Sequence, residues 1–214
     1  MRPLLPILLL ALLAPAPWTR AAPDADAAAL DALLADLARP PPSAVDFVEV
    51  RESALLDAPV RSTGRLEQPD ADTLVRDVRT PQRERTVIRD GRVEMEREGR
   101  RVRRFSLDRA PELRGLLASF RGMLGGDSTL LTEHYRTALE TADDGRWSLS
   151  LAPRDPRLAQ HVRQIVLQGP KGDVACMHIE QTESGGSLTL LGRAAERAAD
   201  IDDMDALRAL CGGE

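Results

Sequence analysis

Few side chains in this sequence are suited to covalent or proton-transfer chemistry. His134, His161 and His178 are the only three histidines in the 214-residue chain, and Cys176 and Cys211 are its two cysteines. Glu133 beside His134, and Glu180 two residues after His178, have the types needed for acid–base pairs, because a neighbouring carboxylate tunes an imidazole for proton transfer. Charged residues on the wet face of a strand account for both pairs more simply. No histidine falls in a nucleophile motif, and the chain has no Gly-x-Ser-x-Gly elbow, phosphate loop or metalloprotease helix. Cys176 and His178 are neighbouring ligands without a second pair, which falls short of a zinc spacing. We therefore expect no enzyme: no catalytic residue, no metal and no cofactor.

In an oxidising compartment, an even count of cysteines favours one disulfide between Cys176 and Cys211, with two buried free thiols as the alternative. Closing a loop of that length stabilises by roughly 3–4 kcal/mol in the chain-entropy picture. A run of arginines, Arg97, Arg100, Arg101, Arg103 and Arg104, has the charge to meet anionic headgroups or an acidic partner. It equally suits an edge hairpin protected from aggregation by charge.

Composition limits the remaining possibilities. Apolar residues make up 43% and charged residues 29%, which is globular, so a core or apolar cavity is within reach. The net charge of -5 disfavours a nucleic-acid partner, because phosphate binding needs a net basic face. Lys171 is the only lysine, and the arginine bias is assigned no function. At the start of the chain, Arg2 precedes a short apolar run over 4–13, and Thr19-Arg20-Ala21 offers small residues for cleavage after Ala21. Residues 1–21 read as a secretory signal peptide, and residues 22–214 as one soluble periplasmic domain. The apolar run is far below the roughly 20 residues needed to span a bilayer. No cysteine closely follows it, so no lipid anchor on the protein itself is expected.

The elements that would position these residues follow from periodicity. Leu30, Leu33, Leu34 and Leu37 recur at helical spacing over 24–38, and Arg39-Pro40-Pro41-Pro42 ends that helix. Strands are expected over 45–56, 60–68, 72–79, 82–89, 92–98 and 101–107, with Asp90-Gly91 as a hairpin turn that tolerates positive φ at both residues. Consecutive short strands joined by tight turns imply an antiparallel meander. Residues 109–124 interrupt it with Leu113, Leu116, Leu117, Phe120, Met123 and Leu124 on one helical stripe, between an Asp108 cap and Gly125-Gly126. Strands resume over 133–141, 146–152, 161–169, 173–182 and 187–192, and a helix over 203–211 delivers Cys211. About eleven antiparallel strands tend to curl, and the inner face then needs an apolar cover. The central helix is available for that role.

In this order the elements resemble the periplasmic outer-membrane lipoprotein carriers, the LolA-like family. A first helix leads into Phe47-Val48-Glu49-Val50, and Gly64-Arg65-Leu66-Glu67-Gln68-Pro69-Asp70 runs to a Pro-Asp turn. Leu74-Val75-Arg76, Pro81 and the strand ending in Asp90-Gly91 follow, and then the helical insertion, Trp147-Ser148-Leu149-Ser150-Leu151 and the strand after His161. The resemblance implies an unclosed β half-barrel with a helical lid over a hydrophobic cavity. It further implies a monomeric carrier that takes acyl chains of a lipid or lipoprotein from an inner-membrane exporter to an outer-membrane acceptor. Family members carry an inward Arg that latches the lid, and Gln68 stands at the matching position here, so the chain resembles a divergent branch with an unusual lipid as client.

The expected lining is Leu113, Leu116, Leu117, Phe120 and Leu124 on the lid, with Leu66, Leu74, Val87, Trp147 and Leu149 on the wall. Aromatics are only 3% of the chain, so a sheet lined by Leu and Val would leave a pliable interior. Five or six large apolar side chains on a lid gain about 8–15 kcal/mol gross, and an acyl chain of about a dozen methylenes roughly 10 kcal/mol, so closure and loading can compete. The other reading is a periplasmic sensor or assembly protein that uses the same curved sheet to bind a protein.

Overall fold

In a computed structural model of the chain, residues 23–52, 58–107, 126–183 and 185–212 are described. Eleven strands form one open antiparallel sheet in the order β6-β5-β4-β3-β2-β1-β11-β10-β9-β8-β7. The first half comprises α1 (Pro23–Leu37), β1 (Ser43–Glu52), β2 (Val60–Asp70), β3 (Thr73–Thr80), β4 (Glu84–Arg89), β5 (Arg92–Arg97) and β6 (Arg103–Ser106). The second half comprises α2 (Ser128–His134), β7 (Tyr135–Thr141), β8 (Trp147–Pro153), α3 (Pro156–Ala159), β9 (Val162–Gly169), β10 (Cys176–Gln181) and β11 (Gly186–Leu191). It closes with α4 (Gly192–Arg197), α5 (Met204–Ala209) and a 3-10 turn at Leu210–Gly212. With β6 and β7 at its edges, the sheet is not closed into a barrel.

Local sequence accounts for most of these elements. Asp90 at φ 50° and Gly91 at φ 69° are both left-handed, as a two-residue hairpin turn matching the strand twist requires. In β8, alternate residues Trp147, Leu149, Leu151 and Pro153 are buried, the two-residue period of a strand covered on one face. The second half departs from expectation in three places. Residues 128–134 are helical: Asp127 caps that helix by accepting from the Thr129 and Leu130 N–H groups, so Glu133 and His134 end a helix instead of opening a strand. Asp155 caps α3 in the same way, with Pro156 in the first turn. Gly192 begins α4, which seats Ala194 and Ala195 on the sheet; the strand pattern preceding it masked a helix this short.

Register assigns every side chain to a face, since directly paired residues point the same way and neighbours along a strand alternate. The inner face carries Phe47, Leu66, Arg76, Thr189, Met177, Leu167 and Leu149; the outer face carries Val48, Val50, Leu188, Leu190 and Cys176. Leu30, Leu34 and Leu37 of α1 and Leu131 of α2 fill the inner face over β7–β10 together with Tyr135, Leu149, Leu151, Ile165, Leu167 and Met177. On the outer face Val48, Val50, Leu188 and Leu190 pack under Ala194, Ala195, Ala198, Leu207 and Leu210. Cys176 and Cys211 are bonded, tying β10 to the C-terminal turn with Cα atoms 5.3 Å apart. Arg61 of β2 donates to the carbonyls of Ala198, Ala199 (3.3 Å) and Ile201 (2.7 Å), holding the C-terminal end of α4 where unpaired carbonyls concentrate.

Candidate functional site

The two halves of the inner face differ in how they are filled. Over β7–β10 it is solid core: Leu149 is 0% exposed and Trp147 5%, and the Trp147 indole N–H donates to the Pro170 carbonyl at 2.9 Å. The inner face of β2–β6 presents Leu66, Leu74, Val78, Ile88, Val93, Met95 and Phe105 in a continuous cross-strand band. Val78 and Val93 are buried, whereas Leu66, Leu74, Ile88, Met95 and Phe105 are only half-buried. The described helices pack elsewhere, α1 and α2 on β7, α3 on β8 and β9, α4 on β1 and β11.

Of the expected wall, Leu66 and Leu74 therefore meet in this band. Trp147 and Leu149 share their face but belong to the packed core under α1. Val87 pairs with Val75 and Glu94 and points to the opposite, outer face. Sequence alternation within β4 does not reveal which of its two apolar sets faces inward, because Val87 and Ile88 are neighbours and both apolar. Ile88, Met95 and Phe105 join the band without having been singled out, and the cross-strand pairs Ile88↔Val93 and Val93↔Phe105 are what reveal them. Leu113, Leu116, Leu117, Phe120 and Leu124, like residues 1–21, lie outside the described residues.

Polar groups border the band at β1. The Arg76 guanidinium stands 5.0 Å over the Phe47 ring and 3.3 Å from Glu49, whose other carboxylate oxygen is 3.0 Å from Arg51. Phe47 itself packs against Gly64, where a Cβ would stand 2.8 Å from the ring. Gln68 is 7% exposed on the same face, opposite Ser43, and its Oε1 has no hydrogen-bond partner among the described residues.

The outer face of β2–β6 is a ladder of opposite charges. Arg79–Asp46 (3.2 Å), Arg65–Asp46 (3.5 Å), Arg85–Asp77 (3.5 Å) and Arg104–Glu94 (2.9 Å) cross it. The Arg104 guanidinium holds the Glu94 carboxyl below the usual range, and the Thr73 hydroxyl and Asp72 N–H do the same for Asp70. A depression beside the disulfide on the outer side is lined by Glu140, Arg146, Ser148, Gln168 and Arg208 together with Ala142, Trp147 and Cys211. His134 ends α2, His161 lies in the turn before β9 and His178 is on β10, its Nδ1 3.8 Å from Glu180. Among the described residues no group of three or more His, Cys, Asp or Glu could hold a metal ion, and no helix is long and apolar enough to cross a membrane.

The family model described as outer membrane lipoprotein carrier protein LolA-like matches residues 21–214. The chain belongs to this LolA-like family. No curated protein matches it in sequence. Among solved structures, it is similar to a LolA superfamily protein, NE2245 of Nitrosomonas europaea, at 11% identity and a TM-score of 0.44, covering 78% of this chain and 91% of that one. It is also similar to LprF of Mycobacterium bovis (13% identity, TM-score 0.36, 78% and 92% covered). MucB, solved in complex with MucA of Pseudomonas aeruginosa, matches at 16% identity and a TM-score of 0.39 over 84% of this chain and 60% of that one. At these values the solved structures add nothing to the family assignment.

Proposed function

We propose that this LolA-like protein is a non-enzymatic periplasmic carrier that holds the acyl chains of a lipid or lipoprotein against the inner face of β2–β6. The observation that carries the reading is the half-buried band of Leu66, Leu74, Ile88, Met95 and Phe105, in a sheet whose other half is solid core. An acyl chain laid along it exchanges water for apolar contact at about 0.8 kcal/mol per CH₂, so about a dozen methylenes gain roughly 10 kcal/mol gross. The stripe of Leu113, Leu116, Leu117, Phe120 and Leu124 is the proposed cover, close enough in apolar area to compete with the client and so permit release.

Residues 1–21 are the export signal in this reading, and the carrier moves as a monomer from an inner-membrane exporter to an outer-membrane acceptor. Gln68, with its open acceptor, replaces the latch of related carriers, so lid closure here rests on apolar contact. The test is native mass spectrometry of the protein exported by its own leader and purified without detergent. An added mass that releases as a lipid supports the carrier. A bare protein that also refuses added lipid refutes it and turns the sheet into a protein-binding surface.

A further inference from the structure

Antiparallel order brings the start of β2, the β3–β4 turn and the β5–β6 turn to one rim of the sheet. The two turns form one unit: the Glu98 N–H donates to the Arg83 carbonyl at 3.1 Å, and the Gln82 side-chain amide reaches the Glu98 carbonyl at 3.5 Å. Below them, Arg97 is held by Glu84 (Nε to Oε2 2.8 Å). Gly99 at φ 72° turns the chain, and the Arg100 N–H closes the turn on the Arg97 carbonyl at 2.9 Å.

Arg83, Arg100, Arg101 and Arg103 project from this unit, all exposed, and none enters an ion pair among the described residues. This contrasts with Arg65, Arg79, Arg85 and Arg104 on the same strands, each spanned to a carboxylate. Glu98 is the only acid within the two turns. Among the described residues, the large apolar side chains that stand exposed are Val102 (39%), between Arg101 and Arg103, and Val60 (37%), at the start of β2 on the same rim. An edge guarded only by charge has no use for an apolar tip among its cations. A bilayer interface has use for both, since arginines meet phosphate headgroups while a small apolar side chain enters the layer beneath.

We propose that this rim docks the protein on an anionic lipid surface. The whole chain carries a net charge of -5 with these arginines included, so the remainder is more acidic still, and an anionic membrane attracts this end and repels the rest. Screening within about 8 Å at physiological salt confines the attraction to residues near the surface, which fixes the orientation of the sheet.

Vesicle flotation tests it, comparing mixed phosphatidylglycerol and phosphatidylethanolamine vesicles with pure phosphatidylcholine vesicles. The protein is expected on the former and not on the latter. The combined variant Arg83→Gln, Arg100→Gln and Arg101→Gln is expected to lose on the order of a hundredfold in partitioning, from the attraction each arginine feels near a charged surface. Val102→Ser is expected to weaken it several-fold with all cations present. Both variants are expected to take up a soluble fluorescent fatty acid like the parent, which separates failure here from failure of the carrier reading. Equal binding to both vesicle types, unchanged partitioning of the triple variant, or competition by inorganic phosphate at constant ionic strength would overturn the proposal. No vesicle binding at all would also overturn it, leaving the rim to an acidic protein.

Discussion

Truncating Leu149 and Leu74 should have opposite consequences, although both are leucines on the inner face of the sheet. Leu149 is 0% exposed, enclosed by the apolar groups of α1, β7 and β9, so Leu149→Ala removes its contacts and leaves a cavity that rigid neighbours cannot close. Such substitutions cost about 3–4 kcal/mol, and for a chain of this size that lowers Tm by roughly 10 °C. Leu74 is half-buried in the β2–β6 band, so Leu74→Ala forfeits part of one transfer free energy, about 1 kcal/mol of stability. It also removes apolar wall from the proposed acyl track. Losing contact equivalent to about two methylenes weakens binding by about 1.5 kcal/mol, roughly tenfold. Urea unfolding with the disulfide intact reads the first quantity, and displacement of a fluorescent fatty acid reads the second. If Leu74→Ala proves as destabilising as Leu149→Ala while lipid affinity stays unchanged, the band is ordinary core and the argument for the groove fails.

Replacing both cysteines with Ser should cost roughly 4 kcal/mol, from freeing a loop that spans a sequence separation of 35, and guanidinium unfolding with and without reductant measures it. Gly64→Ala should destabilise by about 2–3 kcal/mol, because its Cβ would meet the Asp77 carbonyl and the Phe47 ring; thermal unfolding at unchanged secondary structure checks this. Acid should weaken the fold in a defined direction. Asp70, Glu94 and Asp144 have carboxyls held below their ordinary values by Thr73, by Arg104 and by the Arg146 N–H respectively, so their stabilisation is complete above the unfolded values near 4 and is lost as pH falls through the lower folded ones. Tm measured between neutral and strongly acid pH should fall below that point, and Glu94→Gln should flatten the decline.

The local order of this fold was legible in the residues because it rests on short-range physics. Leucines at helical spacing before a proline run give α1, Asp90-Gly91 gives a hairpin with both residues left-handed, and strict alternation from Trp147 to Leu151 gives a half-covered strand. Short turns then leave only an antiparallel meander, and two cysteines in the whole chain leave a single possible disulfide partner. The short helices were missed where a cap supplied by Asp127 or Asp155 outweighs a weak apolar pattern. Division of the inner face was beyond local pattern altogether. Trp147, Leu149, Leu66 and Leu74 are alike in one dimension; only the register of eleven strands puts the first two beneath α1 and the others on a half-buried band, and turns Val87 outward. Periodicity reports which side chains alternate, but which face a helix covers depends on contacts between residues far apart in the chain, and those exist only in the folded molecule.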